Sequence, residues 1–445
     1  MGKLRRGALA LVVATCIGGA ADPASAQGPP EPRDGWIQQA LGLQHELASD
    51  VGWTNAPWVG THNSFNSIDQ TGVALSSNDS NQKIDLEAQL DAGIRSLELD
   101  VHRFPDVPNA SGPIRVCHGR GADQAHFGCT IEKELAPTLA EIAGWLDQSE
   151  HTNEVLLLYL EDHMGDAAGY NAAAAIVNAQ LGDRLYAPSG ETCSEVPADL
   201  SRDDILATGA QALIVSDCGP GAGWAQVAFN WNSHVESRPV DYEGYPGCGP
   251  DYDRKTYDSR VVRYYEDSTA LTNVVGPPTG VATPDDGIDP ATAAAMAQCG
   301  VDLIGLDQVS GVDDPRLEAL AWSWQVNRPR TGAHGERSRC VVQRGGVAVA
   351  NRLGGGERSA WFDQRCRRLH RPACLGADGW TIPGKRLSRR RAKKACARRD
   401  LVLGTPRTGF EAQVLDEALA AADTRQAWLG QRRTRSGAWK QLDQR

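Results

Sequence analysis

Three short stretches of this sequence crowd reactive side chains directly behind apolar runs. Gly60-Thr61-His62-Asn63-Ser64 follows Trp58-Val59, and Val155 to Leu160 runs into Glu161-Asp162-His163. In Ile94 to His102, Leu97, Leu99 and Val101 share one face of a strand while Glu98 and Asp100 share the other. A fourth segment, Val116-Cys117-His118-Gly119, places a histidine just after a short apolar stretch. Neighbouring carboxylates directed into a protein interior must be neutralised by protons, a basic side chain or a metal. Glu98, Asp100 and Glu161 with the amide oxygen of Asn63 make an all-oxygen donor set, which suits a hard cation such as calcium. His62 and His118 remain as a pair able to exchange protons near neutral pH. The plainer reading makes His62 a buried loop residue and pairs Glu98 and Asp100 with Arg95 or Arg103. Arg95, however, lies one residue off the inward set and faces away. His102 and His163 read as supporting residues, His126, His151 and His234 as surface or loop positions. Glu266 and Asp307 follow strands and can line a pocket.

These residues need a frame that aims several strand ends at one point. Strand-like runs at Ile94–Val101, Val155–Leu160, Ala212–Val215, Val261–Tyr265 and Leu303–Leu306 are separated by helical patterns at Lys83–Ala92 and Thr138–Leu146. Strands alternating with helices predict an α/β fold with a parallel sheet, and about 300 residues of it suit a (β/α)8 TIM-type barrel, whose active sites sit at the C-terminal strand ends.

The overall net charge of −11 hides two opposed parts. From Arg330 to the end, 26 Lys/Arg face 10 Asp/Glu, a net of +16, whereas the preceding residues carry −27. This predicts a barrel over 27–328 and a smaller, basic C-terminal module over 329–445. Lys3, Arg5 and Arg6, an apolar stretch from Gly7 to Ala21 and Ala24-Ser25-Ala26 read as a signal peptide over 1–26, hence a secreted protein. Ten of the eleven cysteines remain after its removal, six in the acidic part and four in the basic part, which fits disulfides closed within each. No Cys/His spacing matches a zinc site.

Gly60-Thr61-His62-Asn63-Ser64, Leu97-Glu98-Leu99-Asp100, Cys117-His118-Gly119 and Leu160-Glu161-Asp162-His163 together resemble the X-region of calcium-dependent phosphatidylinositol-specific phospholipases C, in the same order. Gly305-Leu306-Asp307-Gln308, followed by Ala321-Trp322-Ser323-Trp324, resembles the barrel end of secreted bacterial members. The resemblance implies an irregular TIM barrel, catalytic histidines at His62 and His118, and Ca2+ held by Asn63, Glu98, Asp100 and Glu161. It implies cleavage of a phosphoinositide-like lipid to diacylglycerol and inositol (cyclic) phosphate. Animal members hold phosphate with lysines on a middle strand, but Leu213-Ile214-Val215-Ser216-Asp217 carries none, which leaves Arg120 or Arg263 as alternative cations. A related barrel phosphodiesterase for glycerophosphodiesters or sphingomyelin, and an inactive binding or adhesion protein, are the competing readings.

Cys374, Trp380, Ala392-x-x-x-Cys396 and Trp428-Leu429-Gly430 resemble part of a C-type-lectin-like domain, without that family's calcium and sugar ligands. Arg386 to Arg399 forms a basic helical face suited to an anionic membrane surface. No nucleic-acid recognition motif is present, so no nucleic-acid partner is expected.

Overall fold

The computed structural model describes residues 34–67, 80–103, 114–117, 133–190, 192–231, 235–237, 261–266, 270–271, 280–281, 288–324, 341–344, 360–362, 369–433 and 439–441. The expected signal peptide, the 328/329 boundary, His118, Arg120, His126 and His234 lie outside these residues.

In chain order the first part contains β1 (Trp58–Thr61), β2 (Ser96–Arg103), β3 (Ile114–Val116), β4 (Leu156–His163), β5 (Ala212–Ser216), β6 (Phe229–Asn230), β7 (Val235–Ser237), β8 (Val261–Tyr265), β9 (Ala270–Leu271), β10 (Gly280–Val281) and β11 (Leu303–Leu306). Eight of these pair in the order β6-β5-β4-β2-β1-β11-β8-β7, and every neighbouring pair is parallel. Following the chain round from β1 and returning through β11 gives the strand succession of a (β/α) barrel, with its seam between β6 and β7 among the described residues. β3 adds to the end of β2 antiparallel, pairing Val101 with Val116.

Strand parity divides the core as the alternation predicts. Leu97, Leu99, Val101, Leu158, Leu160, Ile214 and Ile304 pack with the helices, whereas Leu157, Tyr159, Leu213, Val215, Val261 and Leu303 form a separate interior cluster. The flanking helices are α1 (Trp36–Leu47), α2 (Leu86–Ala92), α3 (Leu135–Leu146), α4 (Ala167–Leu181), α5 (Arg202–Ala207), α6 (Pro290–Cys299) and α7 (Pro315–Ala319). α2 starts later than the pattern from Lys83 suggests because Asp85 caps it, accepting from Ala88 N, and it ends where Gly93 turns left-handed at φ 106°. α3 starts earlier, at Leu135, since Pro137 falls in the first turn, where a missing N–H costs no helical bond. Arg95 does face away from the interior: it pairs with Glu154 at 2.8 Å and lies over the Trp145 ring.

The C-terminal part comprises β12 (Val341–Arg344), β13 (Ala360–Phe362), β14 (Arg371–Pro372), β15 (Cys374–Gly376), β16 (Gly379–Thr381), α8 (Arg389–Ala397), β17 (Val402–Leu403), α9 (Gly409–Ala421), β18 (Gln426–Trp428), β19 (Gln431–Arg433) and β20 (Trp439–Gln441). A disulfide, Cys374–Cys396, ties β15 to α8. α9 lies against α6, so close that a Cβ on Gly409 would meet the Ala297 carbonyl oxygen at 2.6 Å. Leu415, Leu419, Ala427 and Leu429 join the same apolar core as α6, and Arg407 pairs with Asp50 at 3.7 Å and Glu411 at 2.9 Å. Arg390, Arg391, Lys393, Lys394, Arg398 and Arg399 are all exposed. Every described cysteine is in a disulfide, and the Cys193–Cys218 and Cys374–Cys396 bridges each close within one part of the chain. No described helix is long and apolar enough to cross a membrane.

Candidate active site

Parallel pairing of β2 with β4 sets Asp100 directly opposite Glu161 and Glu98 opposite Tyr159. All three carboxylates point inward at the C-terminal strand ends, where each offers an oxygen within 4.8 Å of the others. Glu98 and Asp100 are buried, and Glu161 is half-buried. Burial pushes the Glu98 carboxyl above its ordinary value. Burial also opposes ionisation of Glu161, but the hydrogen bond from His163 Nε2 at 2.9 Å and the positive field of His163 outweigh it and hold that carboxyl down. Three acids so close repel one another in a poorly solvated setting.

The turn after β1 wraps around Glu98. Asn63, at φ 44°, aims its backbone N–H at Glu98 Oε2 (2.5 Å), and Ser64 N donates to the Glu98 carbonyl at 2.9 Å. The Ser64 hydroxyl accepts from Glu98 N, and the Thr61 hydroxyl donates to Gln89 Oε1. Among the described residues, no donor reaches Asn63 Oδ1 or Glu98 Oε1, both of them buried. Orphaned acceptor oxygens beside three crowded carboxylates are what a hard cation satisfies, so the donor set fits calcium.

His62 leaves the same turn with its ring fixed on three sides. Asn63 Nδ2 lies 3.2 Å from His62 Nε2, and an amide nitrogen only donates, so Nε2 is the acceptor and Nδ1 carries the hydrogen. Nδ1 donates to Asp307 Oδ2 at 3.2 Å, and Asp307 is fully buried. The ring stacks on Tyr265, with centroids 5.7 Å apart and 18° between planes. Gly305 makes room for this, since a Cβ there would meet Tyr265 Cδ1 at 2.0 Å. Behind Asp307, the backbone N–H donates to Glu266 Oε2 at 2.8 Å, and Arg316 joins Glu266 (2.9 Å) to Asp314 (2.8 Å). Burial pushes the Glu266 carboxyl up to about 7 against the pull of Arg316.

Below the carboxylates the Arg263 guanidinium lies 4.6 Å from the Trp231 ring, 5.3 Å from Tyr265 and 5.4 Å from Tyr159. His163 supports Glu161 as stated, and its ring lies 4.6 Å from that of buried His102.

The structure thus brings together His62, Asn63, Glu98, Asp100 and Glu161. The expected partner His118 lies outside the described residues, although Cys117 before it donates its N–H to the Asp100 carbonyl at 3.0 Å. Asp307 takes a larger part than its sequence indicates; its signal was an acid placed just after the apolar run Leu303–Leu306. Asn81 and Gln82, which contact Asp307, carry no recognisable pattern in the sequence.

A family model described as the Rv2075c PI-PLC-like domain matches residues 31–313, a span containing every one of these site residues. The uncharacterized Mycobacterium tuberculosis proteins MT2135 and Rv2075c are each 36% identical over 388 residues, 84% of this chain and 75% of theirs. Similar solved structures include the phosphatidylinositol-specific phospholipase C of Listeria monocytogenes (13% identical, covering 63% of this chain and 98% of that one, TM-score 0.36). A pentafluoro-Phe form of the Staphylococcus aureus enzyme is 11% identical, covering 64% and 98%, with a TM-score of 0.43. The length of the family match, together with identity spread over most of the chain, makes this protein a member of the Rv2075c PI-PLC-like domain family, a phosphodiesterase of the phospholipase C type.

Proposed function

We propose that the chain is a secreted, calcium-dependent phospholipase C that cleaves phosphatidylinositol-like lipids to diacylglycerol and inositol (cyclic) phosphate. The observation that supports it most is the inward trio of Glu98, Asp100 and Glu161, oxygens within 4.8 Å, bonded through Asn63 to the turn that carries His62. Asn63, Glu98, Asp100 and Glu161 would hold a calcium ion, which supplies Lewis-acid stabilisation of phosphoryl charge.

In the reaction the inositol 2-oxygen bonds to phosphorus, the bond from phosphorus to the diacylglycerol oxygen breaks, and one proton passes from the first oxygen to the second. His62 keeps its Nδ1–H on Asp307; in this reading Nε2 gives up its contact with Asn63 Nδ2 and gains a proton when substrate binds, and the charged ring stabilises negative charge developing on the phosphoryl oxygens. His118 is the second proton-transfer residue in this reading. Of the two cations the sequence offers, Arg263 lies within the described residues, where its charge acts on Glu161, and in this reading it helps hold phosphate. The exposed basic face of α8 holds the enzyme at an anionic membrane surface.

The test is turnover by the purified chain on a panel of inositol, glycerol and choline phosphodiesters, with calcium and with excess EGTA. The reading requires preference for the inositol lipid and loss of activity in chelator. Preference for glycerol or choline esters, or full activity in EGTA, overturns it.

A further inference from the structure

A short segment before α2 is latched onto the exit of β11. Gln82 is fully buried, and its side-chain Nε2 lies 2.7 Å from the His62 carbonyl, 2.8 Å from the Leu306 carbonyl and 3.1 Å from Asp307 Oδ1. The same side chain accepts from Val309 N through Oε1 at 3.4 Å. Asn81, also fully buried, donates from Nδ2 to Asp307 Oδ2 at 3.2 Å and accepts from Asn66 Nδ2 at 2.8 Å. The latch is reciprocal, because Gln308 N donates to the Asn81 carbonyl at 2.6 Å and Gln308 Nε2 to the same oxygen at 2.9 Å.

The arrangement engages both carboxylate oxygens and the backbone N–H of Asp307. One oxygen is held by Gln82, the other by Asn81 and His62, and the backbone N–H is held by Glu266. A side chain needed only to join two loops would bond two carbonyls. Gln82 Nε2 shares its two hydrogens among three acceptors: the carbonyl of His62 after β1, the carbonyl of Leu306 at the end of β11, and the carboxylate that faces the His62 ring. It therefore couples the backbone position of His62 to the orientation of the group that selects its tautomer.

We infer that Gln82 is a positioning residue: by holding the His62 carbonyl and the Asp307 carboxylate in one hydrogen-bonded frame, with Asn81 on the second oxygen, it sets the ring orientation and the Nδ1–H tautomer of His62. The inference rests on the role of His62 proposed above. Loss of the frame lets the Asp307 carboxylate rotate and the ring lose its single orientation, while substrate-binding groups elsewhere in the mouth stay in place. The rate of the bound complex suffers, not the binding.

The full chain labelled with [15N]histidine tests this. His62 is assigned by the signal missing from His62→Gln, and long-range 15N–1H correlation at alkaline pH reads its tautomer. The unsubstituted protein is expected to show the Nδ1–H form. Gln82→Met, which keeps the side-chain length, is expected to show mixed tautomers and a kcat lower by about 10–100-fold, with KM changed by less than about twofold. Asn81→Leu is expected to act in the same direction and serves as the readout where Gln82→Met does not fold. An Nε2–H form in the unsubstituted protein overturns the inference, as does a folded Gln82→Met protein with unchanged tautomer and kcat. Tautomers that behave as stated in a protein with no activity on any phosphodiester leave the positioning role standing and defeat the proposed function instead.

Discussion

The rings of His62 and Tyr265 lie stacked, 5.7 Å between centroids, across a position that has no side chain of its own. Gly305 on β11 pairs in register with Gly60 on one side and Tyr265 on the other, and the tyrosine ring occupies the space above it. A methyl group at 305 must displace that ring, because its carbon would sit 2.0 Å from Tyr265 Cδ1. Gly305→Ala is therefore expected to cost about 1–3 kcal/mol of stability through overpacking. Turnover should fall by about tenfold or more as the support under His62 shifts. Urea melts and steady-state rates on a phosphatidylinositol substrate check both.

His62→Ala or His118→Ala is expected to lower turnover by about 10²–10⁴, the usual size of a lost acid–base or charge-stabilising contribution. Asp307→Asn should lower it as well, because the acid that orients Nδ1 is lost while the ring remains. Circular dichroism serves as the folding control. Near-unchanged rates in both histidine variants would remove them from the mechanism.

Calcium at about 100 times its dissociation constant should stabilise the protein by about 2.7 kcal/mol, since the crowded carboxylates are relieved only in the folded state. Thermal melts with calcium and with EGTA measure the shift. Asp100→Asn should shrink it and weaken the calcium dependence of activity. An Asp100→Asn protein with the same calcium response as the parent would take the carboxylate out of the site.

Glu266 gives a pH signature of its own. Its carboxyl ionises near 4.5 in the unfolded chain but at about 7 when folded, because burial disfavours the charge. Between those values the folded state keeps a proton that the unfolded chain has released. This group's contribution, about 3 kcal/mol, is complete below the unfolded value and is lost as pH rises to about 7. Glu266→Gln should flatten stability over that window, and denaturant titrations at pH 4.5 and 7.5 would reveal a slope left unchanged if the assignment is wrong.

Replacing Arg390, Arg391, Lys393 and Lys394 on α8 with Gln is expected to weaken binding to anionic vesicles while sparing cleavage of a soluble short-chain substrate. All four are exposed and none lies in the carboxylate site. The residual binding of the parent should fall with added salt. Equal vesicle retention of parent and variant in a sedimentation assay would place membrane attachment elsewhere.

The site was legible in the sequence wherever a strand's own alternation determined it. Glu98 and Asp100 fall opposite Leu97, Leu99 and Val101 in sequence and in space. Glu161 was readable because it ends a continuous apolar run. The full strand count was not, since β6 has two residues and β7 three, too few for any hydrophobic period to show. β2 and β4 run on to Arg103 and His163, beyond their apolar stretches, because each supplies the other with ladder partners through His102 and His163. The His62–Asp307 pair spans 245 positions, and Asn81 and Gln82 look in isolation like an ordinary polar loop. Their meaning arises only when β1 and β11 come to lie side by side.

Packing of α9 on α6 changes what a basic C-terminal part can do. A module on a slack linker would raise only the local concentration of enzyme near a surface. Here Gly409 sits against Ala297, Arg407 reaches Asp50, and Leu415 and Leu419 share the core with α6, so the two are packed together and not merely tethered. If α8 meets an anionic surface as proposed, that surface reaches the carboxylate trio in an orientation set by the fold, and capture and aiming become one event. On that proposal, part of the orientational entropy of meeting a headgroup is spent when the chain folds, before any lipid arrives.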